Sequence, residues 1–201
     1  MNLINYLSKT IGTDLNIKRQ VLFDNQDLPF ITTLETNWRV IRNELDHLMA
    51  ETELSLWQHR GDYSHEWRVG PLIDYPPLPS YRENVERTRI LCPETAKIVS
   101  QIRGITYATF SMISPHTRIH PHSDSQYIMI PNIRCHLGLQ VPKGDCGFSI
   151  QEPKSKDWID VGWENGKCFA FDNAWTHTAW NFTNENRMIL IVDVNRKSYI
   201  Q

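Results

Sequence analysis

From Gly104 onward the chain is a succession of short apolar runs, each closed by a turn signal, and this pattern constrains the fold most. ITYATFSMI, NIRCHLGLQV, GFSI, KCFAF, HTAWNF and RMILIVDV are β-branched or aromatic. Between them stand Pro115, Pro131-Asn132, Lys143-Gly144-Asp145, Asn165-Gly166, Asp172-Asn173 and Asn184-Glu185-Asn186. Such runs read as strands, and their close spacing argues for an antiparallel sandwich or barrel. The first hundred residues differ. From Thr32, TLETNWRVIRNELDHLMAE puts Leu34, Trp38, Ile41, Leu45, Leu48 and Met49 on one helical stripe, with Thr32 and Glu35 at capping-box spacing. A second helix is expected after Cys92-Pro93. PLIDYPPLPSYREN, between the two, holds four of the eleven prolines and reads as an extended loop. The expectation is mainly β with flanking α. We read one domain over residues 1–201, with helical or irregular support to about residue 103 and a β core over about 104–196.

Composition enters as a set of exclusions. The 201 residues carry a net charge of −2, which removes the electrostatic footprint of a nucleic-acid binder. No apolar run reaches the ~20 residues of a membrane-spanning helix, and MNLINYLSKTIG lacks a basic region followed by an apolar one. Cys92, Cys135, Cys146 and Cys168 form no Cys-x-x-Cys pair, so reduced thiols in a cytoplasmic protein are expected. The histidines are less ordinary. Five of the eight fall between residues 116 and 177, namely His116, His120, His122, His136 and His177.

His122-Ser123-Asp124 is the strongest local signal. On a strand, residues i and i+2 share a face, so imidazole and carboxylate would project together. His177 follows after 52 intervening residues. Two histidines and one carboxylate with other positions open make the facial triad of non-haem Fe(II) oxygenases. Ten residues on, Arg187 heads the run MILIVDV, and a guanidinium entering a buried strand calls for a carboxylate partner. A bound 2-oxoglutarate is one such partner; Asp193, on the same strand face, is another. Taken singly these residues are weak evidence. Most H-x-D tripeptides are unrelated, a lone His177 is more often a core histidine, and a lone Arg187 more often blunts a strand edge. Their joint spacing on a β chain carries the metal reading.

The segments FSMISPHTRIHPHSD, RCHLGLQVPKG and WENGKCFAFDNAWTHTAWNFTNENRMILIVDV resemble the aspartyl/asparaginyl β-hydroxylase family of 2-oxoglutarate oxygenases. The helical segment LETNWRVIRNELDHLMAE and CPETAKIVSQIRG extend the likeness over about residues 30 to 195. The resemblance implies a double-stranded β-helix, the jelly-roll of cupin-like enzymes. It makes His122, Asp124 and His177 the catalytic iron ligands and sets Arg187 and Ser111 on the far carboxylate of 2-oxoglutarate. Arg134 and His136 would line the cosubstrate and substrate end of the pocket. Asp124 stands where some members have Gly, which completes the triad and favours hydroxylation over halide capture. The segment from His122 to His136 is a few residues longer than in the animal enzyme. The implied activity is a dioxygenase using Fe(II), 2-oxoglutarate and O2 to hydroxylate an unactivated C–H bond, with succinate and CO2 released. The expected substrate is a small molecule or amino-acid unit, Asp/Asn-like residues included, with no nucleic-acid or membrane partner. A non-catalytic cupin-like binding module is the rival. His120 reads as a group that orients His122, His116 as an ambiguous neighbour, and Trp175 and Trp180 as pocket walls or core.

Overall fold

The structure, a computed structural model, describes residues 20–74, 82–124 and 132–200. The readings made on the first twelve residues and on Pro76, Pro77 and Pro79 lie outside them. The described strands are β1 (Leu22–Phe23), β2 (Ser55–Leu56), β3 (Trp67–Ile73), β4 (Ile105–Ile113), β5 (Thr117–His122) and β6 (Asn132–Gln140). They continue with β7 (Cys146–Gln151), β8 (Trp158–Val161), β9 (Cys168–Asp172), β10 (His177–Asn181) and β11 (Arg187–Asn195). The helices are α1 (Phe30–Thr36), α2 (Trp38–Glu51), α3 (Arg82–Leu91) and α4 (Pro93–Ser100).

All strand pairs are antiparallel, in two sheets. One has the order β1-β9-β6-β11-β4-β3-β2 and the other β5-β10-β7-β8. From β4 to β11 the chain passes back and forth between the sheets, and eight strands so wound are a jelly-roll, the double-stranded β-helix. Every apolar run of the sequence after Gly104 is one of these strands. Alternation gives the large sheet two buried faces. Ile133, Cys135, Leu137 and Leu139 of β6 pack with Met188, Leu190, Val192 and Val194 of β11 against Ile41, Leu45, Leu48 and Val99 of the helices. The opposite face packs on the small sheet through Phe171, Ile189, Ile191, Phe148 and Ile150. Gly138 of the HLGL motif is required where segment 164–167 crosses. A Cβ there would sit 2.1 Å from the Glu164 carbonyl oxygen, and the Gly138 carbonyl accepts from Gly166 N–H at 2.8 Å.

Several expectations are corrected. The stripe from Leu34 to Met49 belongs to two helices divided at Asn37, and the first begins at Phe30 after Pro29. Thr32 and Glu35 therefore form no capping box; the Glu35 carboxylate accepts instead from Cys168 N–H at 2.9 Å. Pro71, Leu72 and Ile73, read as loop, are in β3, and Arg82–Asn84 open α3. Pro71 is tolerated because β2 pairs only with Arg68 and Val69, so no neighbour on that side needs its missing N–H. The helix after Cys92 forms with Pro93 in its first turn, as expected. The four cysteines are free.

Candidate metal centre

His122 ends β5, His177 opens β10, and the two are directly paired across the small sheet. Their ring centroids lie 4.4 Å apart. Asp124 lies beyond the end of β5, where its N–H donates to the Asn173 carbonyl at 3.1 Å. One ligand-type atom from each of His122, Asp124 and His177 lies within 4.8 Å of the others. The two imidazoles are oriented alike. His122 Nδ1 lies 2.8 Å from the His120 carbonyl oxygen and His177 Nδ1 2.9 Å from that of Trp175. A carbonyl can only accept, so each Nδ1 carries the proton and each Nε2 keeps its lone pair for a metal. Burial pushes the His177 pKa down to about 4, despite the opposing Asp124 charge, so it is neutral at neutral pH. Burial raises the Asp124 pKa, but Arg134 and the two histidines outweigh it, and the net shift is downward.

Strand parity predicts that His120, His122 and Asp124 share a face. The structure corrects this. Between His177 and Ala179 the register shifts by one, from His122 to Ile119 on β5, a bulge that takes in Pro121. Ile119 and His122 thereby both line the cavity, and the His120 imidazole is turned to solvent. Its backbone carbonyl, not its ring, orients His122. His116 is exposed in the β4–β5 turn, and His47, His59 and His65 are exposed outside the site.

The cavity beside the histidines holds about 350 Å³ of empty space, part of it open to solvent. Ser111, Arg134, His136 and Arg187 all line it, as do His122 and His177. Arg187 is 1% exposed. Its Nε and Nη1 have no hydrogen-bond partner, and its guanidinium lies 4.6 Å from the Trp163 ring centroid. Burial lowers its pKa to about 9, and among the described residues no acid forms an ion pair with it. The alternative partner, Asp193, is taken. Its carboxylate receives a two-pronged bond from Arg134, at 2.7 and 2.8 Å. Arg134 also reaches Asp124 Oδ2 at 2.5 Å, as an ion pair outside hydrogen-bond angles. Arg134 therefore lies between two aspartates with its charge committed. Ser111 Oγ accepts from the Trp67 indole at 3.0 Å, which leaves its own proton to donate. Trp163 Nε1 donates to His136 Nδ1 at 3.4 Å, so the His136 proton is on Nε2. Burial and the neighbouring arginines push its pKa well below the usual range and keep the ring neutral.

The aromatic walls escaped the sequence reading. Trp67, Phe148 and Trp163 line the cavity; Trp180 instead lies over Gly147 and bonds Asp145. No spacing rule links Trp67 or Trp163 to the histidines, since they come from β3 and a loop. Asn181, the acceptor position of a glycosylation pattern, is fully buried. Its amide donates to the Ile113, Ser114 and Glu185 carbonyls.

A donor set of two imidazoles and one carboxylate, facing an unneutralised arginine across a cavity, fits iron and a dicarboxylate cosubstrate. Residues 35–197 match the aspartyl/asparaginyl β-hydroxylase family. The chain belongs to that family, one of 2-oxoglutarate–Fe(II) oxygenases. Among similar members, ornithine lipid ester-linked acyl 2-hydroxylase of Rhizobium tropici is 29% identical over 187 residues, covering 86% of this chain and 59% of that protein. Human aspartyl/asparaginyl β-hydroxylase is 28% identical over 178 residues, covering 82% of this chain and 21% of that protein. The chain thus spans less than two thirds of the first relative and about a fifth of the second. A prolyl-4-hydroxylase of Pseudomonas putida superposes with a TM-score of 0.53 at 14% identity, over 94% of this chain and 98% of that one. A 2OG-Fe(II) oxygenase family oxidoreductase of Burkholderia pseudomallei superposes at 0.51 with 13% identity, over 77% and 78%. At such identities these two structures show the β-hydroxylase family chain to share their fold.

Proposed function

We propose that this chain is an Fe(II)- and 2-oxoglutarate-dependent hydroxylase acting on an unactivated C–H bond of a small molecule or amino-acid unit. One observation carries the reading: a single cavity joins the His122 and His177 imidazoles, with the Asp124 carboxylate beside them, to a buried arginine that has no acid to pair with among the described residues. A guanidinium so placed is costly unless an anion enters, and a 2-oxoglutarate carboxylate meets that need. When bound, Fe(II) with 2-oxoglutarate and O2 supplies C–H oxidation coupled to release of succinate and CO2. The chain's residues hold and orient. His122 Nε2, His177 Nε2 and the Asp124 carboxylate would hold the metal, and three protein donors would leave coordination positions for other ligands. Arg187 grips the far carboxylate of the cosubstrate, and the Ser111 hydroxyl, held by Trp67, donates to it. His136 offers a neutral N–H donor to the cavity. Trp67 and Trp163 wall the far-carboxylate end of the cavity, and Phe148, packed on His177, keeps water from the metal end.

The relatives' names support a narrower reading of the bond attacked. The β carbon of an aspartyl or asparaginyl residue and carbon 2 of an acyl chain are each the methylene next to a carbonyl. We propose the same bond class here.

The test is anaerobic addition of Fe(II) and 2-oxoglutarate, monitored for a visible metal-to-ligand charge-transfer band. The band is expected with the wild-type chain and absent with His177→Ala. Folded wild-type protein without it would leave the binding-module reading standing. Succinate release over a panel of amides, aminoacyl compounds and acyl esters then selects the substrate.

A further inference from the structure

We infer that the buried Asp172–Arg196 ion pair positions the metal-ligand set, acting through the loop from Asp172 to Thr176. The inference deepens the proposed function and rests on it for the metal, though not for the loop.

This five-residue loop reaches two of the three donors through its own backbone. The Asn173 carbonyl accepts the Asp124 N–H at 3.1 Å. The Trp175 carbonyl, at 2.9 Å, fixes the proton of His177 on Nδ1. A shift of the loop would therefore move Asp124 and unset the His177 tautomer together. Asp172 organises the loop twice over. Its side-chain Oδ1 accepts from Ala174 N–H and its carbonyl from Trp175 N–H, each at 3.1 Å. From the loop's far end, the Thr176 carbonyl accepts from Gln151 N–H of β7 at 2.8 Å.

The other oxygen of Asp172 faces Arg196, which follows β11, as an ion pair outside hydrogen-bond angles. Asp172 is 1% and Arg196 2% exposed, and the guanidinium lies 5.5 Å from the Phe23 ring centroid. Two charges so buried are poor sources of stability, since an apolar pair of like volume commonly does as well. What an apolar pair could not supply is direction. Held by Arg196, the Asp172 carboxylate keeps one oxygen turned to Ala174, and the loop keeps its two carbonyls aimed at Asp124 and His177.

The experiment compares wild type, Arg196→Lys and the double variant Asp172→Asn/Arg196→Gln, which removes both charges and leaves neither buried alone. Amide hydrogen exchange is measured without metal, and Co(II) affinity by visible titration. In the double variant the Asp124 and Ala174 amides are expected to exchange about tenfold faster or more, while Leu190 in β11 stays protected. The Co(II) dissociation constant should rise about tenfold, as when a group supporting a metal ligand is lost. Arg196→Lys should restore much of both. Unchanged Asp124 protection together with unchanged Co(II) affinity overturns the inference. Should the double variant not fold, Asp172→Asn/Arg196→Met, which also removes both charges, takes its place, and unchanged values there overturn the inference equally. A wild-type chain that takes up no Co(II) overturns the metal reading, and the exchange measurement still decides what the ion pair does to the loop.

Discussion

The two faces of the large sheet are built from the same strands and answer to different demands. On the helix side, alternate residues of β4, β6, β9 and β11 are Phe110, Leu137, Ala170, Leu190 and their apolar neighbours, packed against α1, α2 and α4. On the inner side the intervening residues include Ser111, Arg134, His136, Arg187 and Asp193 among the aromatics. The helix face has its needs met within the chain. The inner face does not: Arg187 has no acid to pair with among the described residues, and across the cavity, on the small sheet, two imidazoles offer unshared lone pairs. A two-residue period lets one strand serve both ends, with stability on one face and ligand binding on the other. Groups on the inner face are tolerated because the opposite face carries the folding free energy.

The sharpest break of this contrast is His177→Ala. Metal affinity, followed by Co(II) titration, should fall further than the about tenfold to hundredfold loss typical of supporting groups, while the chain stays folded. On the other face, Leu190→Ala should cost about 2–5 kcal/mol in denaturant unfolding and leave 2-oxoglutarate affinity untouched. Arg187→Met should do the reverse. The metal-free protein should gain about 1–4 kcal/mol, as when a buried charge gives way to an apolar chain, and the rise in Tm with added 2-oxoglutarate should vanish.

A pH titration sharpens the same comparison. With a folded pKa of about 4, against an ordinary value near 6.5, His177 binds its proton more readily in the unfolded chain. Stability of the metal-free protein should therefore be full above about pH 6.5 and decline as pH falls toward 4. The loss should reach on the order of 3 kcal/mol, and Asp124, with its depressed pKa, adds to it at the acid end. His177→Ala should flatten this slope in urea unfolding measured across pH. The smallest effect is expected from His120→Ala, whose side chain faces solvent: Co(II) affinity should match wild type, and a loss would mean that the ring, not the carbonyl, supports His122.

Much of the β core was legible because its runs are short, apolar and clearly punctuated. β3 was not, because Pro71 opens a proline-rich stretch that reads as loop, and only pairing shows that β2 stops short of it. The capping-box spacing at Thr32 misled because Glu35 found a better use across the fold, on the N–H of Cys168. In the site, the H-x-D tripeptide led to His122 and Asp124, although Asp124 lies beyond the strand and strand parity does not place it. His120 was given the wrong face because a bulge changes parity without any signal beyond Pro121.

By itself the sequence determined six of the eight core strands in order, the apolar alternation that makes a two-sheet sandwich, and the residue types able to hold iron and an anion. Periodicity and side-chain chemistry are local, so they survive without coordinates. Tertiary structure alone decided that Asp193 pairs with Arg134 and not with Arg187, that a bulge turns His122 inward, and that one loop serves two donors. Each of these depends on which strands lie side by side and in what register, and that is set by the summed packing of residues far apart in the chain.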